Sequence, residues 1–284
     1  MLKFIYKKQS IEYFKFGSGK PIVLLLGMNG ILDEWYEFIK LLKHEYKIYV
    51  FYRPGIGYGE VEDSKISIKN TSMMLDEFIK QKNIEKAPLI GHSYGGLCIQ
   101  VYVSRYKSKN SIILIDSTSV DYKQLDVIDE NNTSNQNSDD AWLNYCKEKS
   151  MMTHIQLKGK INLKINERNA SMFPNFYRVL YFETKNWSQD ATNLKESFIT
   201  INNPLLVIGR DKNFTIKENI KSNDMTEDNA KKFEEIWHNL ILNQSKLSSN
   251  SIVKFINKSN HNIHISNPLE LSYEINMFLS ENYK

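Results

Sequence analysis

A serine lies among glycines in the sequence GHSYGG, residues 91–96. Ser93 follows the apolar run of residues 87–90 and precedes a run with helical spacing. The pattern G-x-S-x-G between a strand and a helix is typical of a nucleophilic serine, because Gly91 and Gly95 leave room for a sharp turn from which the hydroxyl projects. The alternative is an ordinary glycine-rich turn. The flanking strand and helix favour the nucleophile.

A nucleophilic serine requires a base, and two histidines could supply one. His261 and His264 follow the apolar run of residues 252–256, which we interpret as the last strand. A loop at that position can reach across to the serine turn. The pair also has the H-x-x-H spacing of some zinc ligands, but the sequence offers no further Cys or His ligand nearby, so we predict no metal site.

The base in turn requires a carboxylate, which fixes its tautomer and stabilises the imidazolium ion. Asp116 directly follows the apolar run of residues 111–115, and Asp211 comes shortly after residues 204–209. Asp121 is a more distant third candidate. Position after a strand leaves the choice between the first two open.

These residues need a scaffold, and apolar runs alternating with helical patterns predict one. Residues 2–6 and 11–16 predict an antiparallel hairpin. Further predicted strands are residues 22–26, 47–51, 87–90, 111–115, 204–209 and 252–256, and predicted helices are residues 33–43, 70–82, 97–106 and 268–279. We therefore predict an α/β fold with a doubly wound, mostly parallel sheet.

Two segments interrupt this alternation. Residues 119–200 are predicted to be a helical cap inserted after the sixth strand, with residues 1–118 and 201–284 forming the core. Within the cap, residues 129–140 are polar and of low complexity, which predicts a mobile loop. A second insertion, residues 215–247, carries an apolar stripe at helical spacing. Aromatic residues are frequent in the cap, so we expect some of them to line an apolar pocket above the serine.

The motifs together resemble the α/β-hydrolase fold superfamily, in particular its capped serine hydrolases. The similarity covers nearly the whole chain outside the cap. In that superfamily the loop of the catalytic histidine typically reads G-H-x-x-H-x-E-x-P, which aligns with NHNIHISNP, residues 260–268. The resemblance implies that His261 is the base. Asn260 and Ser266 depart from the pattern, standing where a glycine and an acidic residue are usual.

The resemblance also implies where an oxyanion would bind. Its donors would be the backbone N–H groups of Tyr94, after the nucleophile, and of Met28, in the loop after the third strand. That loop usually reads H-G-x, and here Leu26 replaces the histidine, so the side chain at this position cannot support the loop by a hydrogen bond. The loop YRPGIGYGE resembles the superfamily's D-x-P-G-x-G-x-S, with Tyr52 in place of the aspartate, and is interpreted as structural.

The resemblance allows two positions for the acid. Most members place it in G-x-x-D after the next-to-last strand, where Asp211 comes one residue early and Lys212 holds the expected place. Some lipases use the position of Asp116. We prefer Asp116, because Asp211 is out of register and precedes an unusual insertion, and keep Asp211 as the alternative.

Composition limits the other functions. A net charge of +4, from 37 basic and 33 acidic residues, comes without a basic block, so we expect no nucleic-acid partner. Cys98 and Cys146 are too few for a disulfide framework. The sequence shows no signal peptide or membrane-spanning apolar run, so we expect a cytoplasmic protein without membrane insertion. No cofactor is expected, and a protein partner is possible but not indicated.

The expected function is that of a carboxylesterase-like serine hydrolase. It would cleave a small ester or related acyl compound with an apolar part, through an acyl-enzyme on Ser93. The same triad could serve a thioesterase, an acyltransferase or a carbon–carbon bond hydrolase, since the fold does not separate these reactions. A ligand-sensing or non-catalytic binding protein of the same fold is the alternative of another class. A serine nucleophile argues against haloalkane dehalogenases and epoxide hydrolases, which use aspartate.

Overall fold

The computed structural model describes residues 1–28, 30–57, 62–129, 139–160, 173–197, 200–222 and 225–283. One eight-stranded sheet has the order β1-β2-β4-β3-β5-β6-β7-β8. β1 pairs antiparallel with β2 and β2 with β4, while the remaining pairs are parallel, which confirms the predicted fold class. The strands are β1 (Leu2–Tyr6), β2 (Gln9–Phe16), β3 (Lys20–Leu25), β4 (Tyr46–Phe51), β5 (Leu89–His92), β6 (Ile112–Ile115), β7 (Leu205–Gly209) and β8 (Ser251–Phe255).

Helices cover both faces of the sheet. One apolar cluster joins it to α1 and α11, and the other joins it to α2 and α3. No described helix is long and apolar enough to cross a membrane. The helices are α1 (Tyr36–Leu42), α2 (Ile68–Lys82), α3 (Tyr94–Tyr106), α4 (Asp126–Asp129), α5 (Asp139–Ser150), α6 (His154–Lys160), α7 (Phe173–Ser197), α8 (Lys212–Lys221), α9 (Glu227–Asn243), α10 (Ile263–Ser266) and α11 (Pro268–Asn282).

The central strands are apolar because helices cover them on both sides. β5, β6 and β7 are buried along their whole length and lie side by side. Their register pairs His92 with Ile115, and Ile115 with Ile208. Since parallel strands end at the same edge of the sheet, the residues that follow β5, β6 and β7 leave it together. Ser93, Asp116 and Arg210 are therefore neighbours at this edge.

Two predicted boundaries at the serine were wrong. The predicted strand at residues 87–90 lies at Leu89–His92, and the predicted helix at 97–106 begins at Tyr94. The glycines of GHSYGG suggested a linker between these elements. They instead belong to the strand and the helix themselves, because a side chain there would have no room. The predicted last helix also continues from residue 279 to Asn282.

Both insertions are helical in the described residues. α4 to α7 lie between β6 and β7, and the 25-residue α7 packs against α5. Of the predicted mobile loop, residues 130–138 lie outside the described residues, and α5 begins at Asp139. The helices α8 and α9 lie between β7 and β8. Thr226 is the N-cap of α9, and its side-chain hydroxyl accepts a hydrogen bond from the N–H of Asn229. Two residues of the apolar stripe predicted for this insertion, Leu240 and Ile241, are buried.

Phe78 tests how much the aromatic cluster beneath α2 contributes to stability. Its fully buried ring contacts Phe4, Tyr13, Tyr49 and Phe51. We expect Phe78→Ala to lower the free energy of unfolding by about 3–5 kcal/mol, because it removes apolar burial and leaves a cavity.

Urea denaturation of purified protein measures this loss. The control is Met277→Ala, which truncates a partly exposed apolar side chain on α11 and should change the unfolding midpoint little. Equal midpoints for the two variants would contradict the importance of the Phe78 cluster.

Candidate active site

Ser93 stands at the junction of β5 and α3 with φ 51° and ψ −123°. A left-handed backbone of this kind costs a non-glycine residue about 1–3 kcal/mol and is concentrated at functional sites. Neighbouring glycines make the bend possible. A Cβ atom on Gly91 would lie 2.6 Å from Cα of Gly96, and one on Gly95 would overlap the carbonyl oxygen of Leu25. The bend therefore depends on both glycines.

Three of the predicted site residues form one hydrogen-bonded line. His261 Nε2 lies 3.1 Å from Ser93 Oγ, and His261 Nδ1 lies 2.7 Å from Asp116 Oδ2. An ionised carboxylate can only accept, so Nδ1 carries the proton and Nε2 of the neutral ring is free to accept from the Ser93 hydroxyl. The three predicted residues are thus brought together in the order hydroxyl, imidazole and carboxylate, the arrangement that acyl transfer by a serine would require.

The Asp116 carboxylate is fully buried but well supplied with donors. Arg210 Nη1 donates to Oδ2 over 3.1 Å, and Trp237 Nε1 donates to Oδ1 over 2.9 Å. Burial by itself would raise the pKa of Asp116, but the Arg210 charge and the bonds from His261 and Trp237 lower it to about 2. The carboxylate is therefore ionised at neutral pH and stabilises positive charge on His261.

Asp211 has a different position. Its Oδ1 accepts from the backbone N–H groups of Asn213 and Phe214, which makes it the N-cap of α8. Its Oδ2 accepts from the N–H of Lys258 over 3.0 Å. Both oxygens thus stabilise backbone, while His261 Nδ1 faces Asp116. The third candidate, Asp121, pairs with Lys195 near the surface.

The loop expected to hold an oxyanion runs beside Ser93. We call residues 26–28, which directly follow β3, the oxyanion loop. A Cβ atom on Gly27 would lie 3.2 Å from Cβ of Ser93, so the loop approaches the nucleophile closely. Met28 is the last residue of this loop, and Tyr94 is the first residue of α3. The backbone N–H groups of both stay our predicted oxyanion donors.

Comparison with known proteins identifies the family. Residues 20–268 match the family model described as alpha/beta hydrolase fold. The chain belongs to this family. Over 101 residues it is 31% identical to the abhydrolase domain-containing protein abhd-5.2 of Caenorhabditis elegans, a match that covers 34% of the chain and 23% of that protein's length.

Solved structures of low sequence identity share the fold. The epoxide hydrolase CorEH aligns with a TM-score of 0.65 and 14% identity, covering 99% of this chain and 98% of that one. A thermophilic esterase from Thermogutta terrifontis aligns with a TM-score of 0.61 and 14% identity, covering 97% and 95%. These neighbours show the shared fold, and membership of the family supports a hydrolase activity in general.

Sequence reasoning missed the arginines that hold this α/β hydrolase site. Arg53 lies in a loop that we had interpreted as structural, and Arg210 stands between the last glycine of β7 and Asp211. One available signal was composition: only five of the 37 basic residues are arginines. In a chain so rich in lysine, arginines beside strand ends favour bidentate or buried pairs, which lysine makes less well. Their partners Glu183 and Glu234 come from the two insertions.

Two further histidines of the α/β hydrolase lie behind the base. His92 Nε2 donates to the carbonyl oxygen of His261 over 2.9 Å, so its side chain supports the histidine loop. His264 stacks on Trp35 with ring centroids 3.8 Å apart. Burial lowers the pKa of His92 to about 3 and that of His264 to about 2. The described residues hold no group of three or more Cys, His, Asp or Glu side chains that could bind a metal ion.

His264 should make the fold sensitive to acid. Its folded-state pKa of about 2 lies below the ordinary 6.5 of an unfolded chain, so stability is present above pH 6.5 and is lost as the pH falls. Between pH 7 and pH 5 this loss amounts to about 2 kcal/mol for one histidine. His264→Phe keeps a ring on Trp35 and removes the titration. We therefore expect the pH dependence of stability to flatten.

Urea unfolding at pH 7 and at pH 5 measures this change. The control variant is His44→Phe, which replaces an exposed histidine. If His264→Phe loses as much stability on acidification as the wild type does, the conclusion that His264 is buried in its neutral form is wrong.

Proposed function

We propose that this α/β hydrolase is a serine hydrolase that cleaves small esters through an acyl-enzyme on Ser93. The observation that carries the proposal is the pair of hydrogen bonds centred on His261, of 3.1 Å to Ser93 and 2.7 Å to Asp116. In this arrangement a histidine can activate the hydroxyl and a buried carboxylate can stabilise the resulting imidazolium ion. A serine at the bend also distinguishes the chain from the aspartate nucleophile expected of an epoxide hydrolase.

The proposed reaction passes through two acyl transfers. Ser93 Oγ attacks the ester carbonyl carbon while His261 Nε2 takes the hydroxyl proton. The tetrahedral oxyanion is held by the N–H groups of Tyr94 and Met28. As the intermediate collapses, the His261 imidazolium returns the proton to the leaving alcohol. Water then attacks the acyl-enzyme by the same sequence, and His261 gives the proton back to Ser93.

The helical insertion of residues 119–200 supports a substrate with an apolar part. We propose that it acts as a cap over the site. Its α7 reaches the oxyanion loop, where Thr184 Oγ1 lies 3.4 Å from Met28 Sδ. Partly buried apolar side chains of this insertion pack in the same cluster as Met28: Trp142, Met152, Tyr181 and Phe182. Such a wall excludes water from the acyl-enzyme and favours a small apolar acyl group.

A fluorophosphonate probe tests the nucleophile. We expect the wild type to be labelled at Ser93, because His261 removes the serine proton, and Ser93→Ala to be unlabelled and inactive toward a p-nitrophenyl ester. Ser104→Ala, which changes a serine further along α3, is the matched control and should retain labelling and turnover. A folded wild type that neither reacts with the probe nor turns over the ester would overturn the proposal and favour a non-catalytic binding protein.

The two candidate acids are tested as a pair. Asp116→Asn removes the charge that fixes the His261 tautomer, and we expect kcat to fall by about 1000- to 10,000-fold. Asp211→Asn should leave kcat unchanged, because asparagine also caps helices well and the loss of stability stays below about 1 kcal/mol.

Steady-state kinetics with the same p-nitrophenyl ester measures both variants. Normal turnover in Asp116→Asn together with lost turnover in Asp211→Asn would transfer the role of the acid to Asp211.

A further inference from the structure

Arg53 binds the backbone of the oxyanion loop through three hydrogen bonds. Its Nη1 donates to the carbonyl oxygens of Leu26 over 2.6 Å and Gly27 over 3.0 Å, and its Nη2 donates to that of Met28 over 3.2 Å. The guanidinium is buried, and its carbon lies 5.3 Å from the ring centroid of Tyr94. One cation therefore contacts both residues whose backbone N–H groups are expected to bind the oxyanion.

The bond to Gly27 bears directly on one of those donors. The carbonyl of Gly27 and the N–H of Met28 belong to the same amide group. A charged donor at an amide oxygen draws electron density from the nitrogen and strengthens its N–H as a donor, by about 10–30% per bond in condensed-phase estimates. The same bond, together with a bond from the Gly30 N–H to the same oxygen over 3.1 Å, fixes the plane of the amide. Arg53 thus both orients and polarises the Met28 N–H.

Leu26 explains why the loop needs such a support. The resemblance implied a histidine at this position, whose side chain could hold the loop, and leucine has no hydrogen-bonding group. Arg53 instead binds the backbone of all three loop residues from below. The buried backbone carbonyls of the loop thereby receive hydrogen bonds.

Glu183 determines where the guanidinium lies. Its carboxylate accepts from Arg53 Nε over 2.6 Å and from Nη2 over 3.0 Å, a bidentate pair buried on both sides. Burial alone would lower the pKa of Arg53, but Glu183 raises it, so the cation stays charged. Glu183 lies in α7, within the helical insertion, next to Thr184, which contacts Met28. The insertion is therefore linked to the oxyanion loop through a charged pair.

We infer that Arg53 is a positioning residue for catalysis: it holds and polarises the Gly27–Met28 amide, and Glu183 fixes Arg53 in place. This inference rests on the proposed function, since it concerns stabilisation of the oxyanion in acyl transfer. Its consequence is that transition-state binding, rather than substrate binding, depends on Arg53. Removing one oxyanion donor typically costs about 100- to 1000-fold in rate, so weakening one should cost about 10- to 100-fold.

Arg53→Met and Arg53→Lys test the inference with a p-nitrophenyl ester. We expect kcat to fall by about 10- to 100-fold in Arg53→Met, while KM changes less than about twofold. Arg53→Lys should fall between it and the wild type, because an ammonium group cannot form all five bonds. The inhibition constant of an alkyl trifluoromethyl ketone, whose adduct carries the oxyanion, should rise by the same factor as kcat falls. Added guanidinium at millimolar concentration should partly restore kcat in Arg53→Ala.

Arg178→Met is the matched control. Arg178 lies in α7, as Glu183 does, and it pairs with Asp63 over 2.6 Å, but this pair is near the surface. Its loss should leave kcat and the inhibition constant unchanged. If Arg53→Met leaves Glu183 unpaired and unfolds the protein, Arg53→Met/Glu183→Gln removes both charges together and should show the same fall in kcat.

The outcomes separate this inference from the proposed function. An active wild type with unchanged kcat in folded Arg53 variants overturns the inference alone. Equal losses of kcat in Arg53→Met and Arg178→Met, with an unchanged inhibition constant, also overturn it, because such losses assign Arg53 to general stability. A wild type without esterase activity or probe labelling overturns the proposed function and the inference with it.

Discussion

Ser93 is the single residue between β5 and α3, so the chain changes direction at one left-handed residue. Everything near the site is arranged around this bend. The Ser93 N–H donates to the carbonyl of Ile115, and its own carbonyl accepts from the N–H of Thr118, so β6 and the segment after it fix the bend from one side. On the other side lies the oxyanion loop: a Cβ atom on Gly27 would come within 2.8 Å of Nδ1 of His92, and one on Gly95 would overlap the carbonyl oxygen of Leu25.

Local patterns were sufficient to predict the parts of the site that are local in the chain. The glycines of GHSYGG indicate a tight turn at Ser93 by themselves, and a loop after the last strand of a parallel sheet could be placed at the same edge. That position indicated both His261 and His264, and the resemblance to the superfamily's histidine loop selected His261. The fold class was predictable for the same reason, since buried strands have an unmistakable apolar composition. The exact ends of β5 and α3 were not, because glycine disfavours both elements and its presence there depends on contacts with distant backbone.

The acid could not be decided from the sequence, because both aspartates follow strands that lie side by side. The difference lies in what else each carboxylate can reach. Asp211 is within two and three residues of free N–H groups at the start of α8, so capping occupies it. Asp116 faces Arg210 and Trp237, of which Trp237 is 121 residues away in the chain. Arg53 and Glu183 are likewise 130 residues apart. Contacts between residues so distant in the chain produce no periodic pattern in the sequence.

The two insertions contribute to the site in the same way. Each supplies one buried glutamate to an arginine that follows a core strand: Glu183 pairs with Arg53 after β4, and Glu234 pairs with Arg210 after β7. A buried guanidinium without such a partner would be costly. The insertions are therefore part of the electrostatic structure of the core. Deleting the first would remove the carboxylate partner of Arg53, and deleting the second would leave Arg210 with Asp116 alone.

The cluster around Asp116 is one positive charge short of neutrality. Two buried carboxylates, of Asp116 and Glu234, share the single guanidinium of Arg210, and His261 is neutral when it accepts the serine proton. Protonation of His261 supplies the missing charge. In the proposed mechanism the free protein thus carries the electrostatic imbalance, and the tetrahedral intermediate is the state in which the charges behind the histidine are balanced.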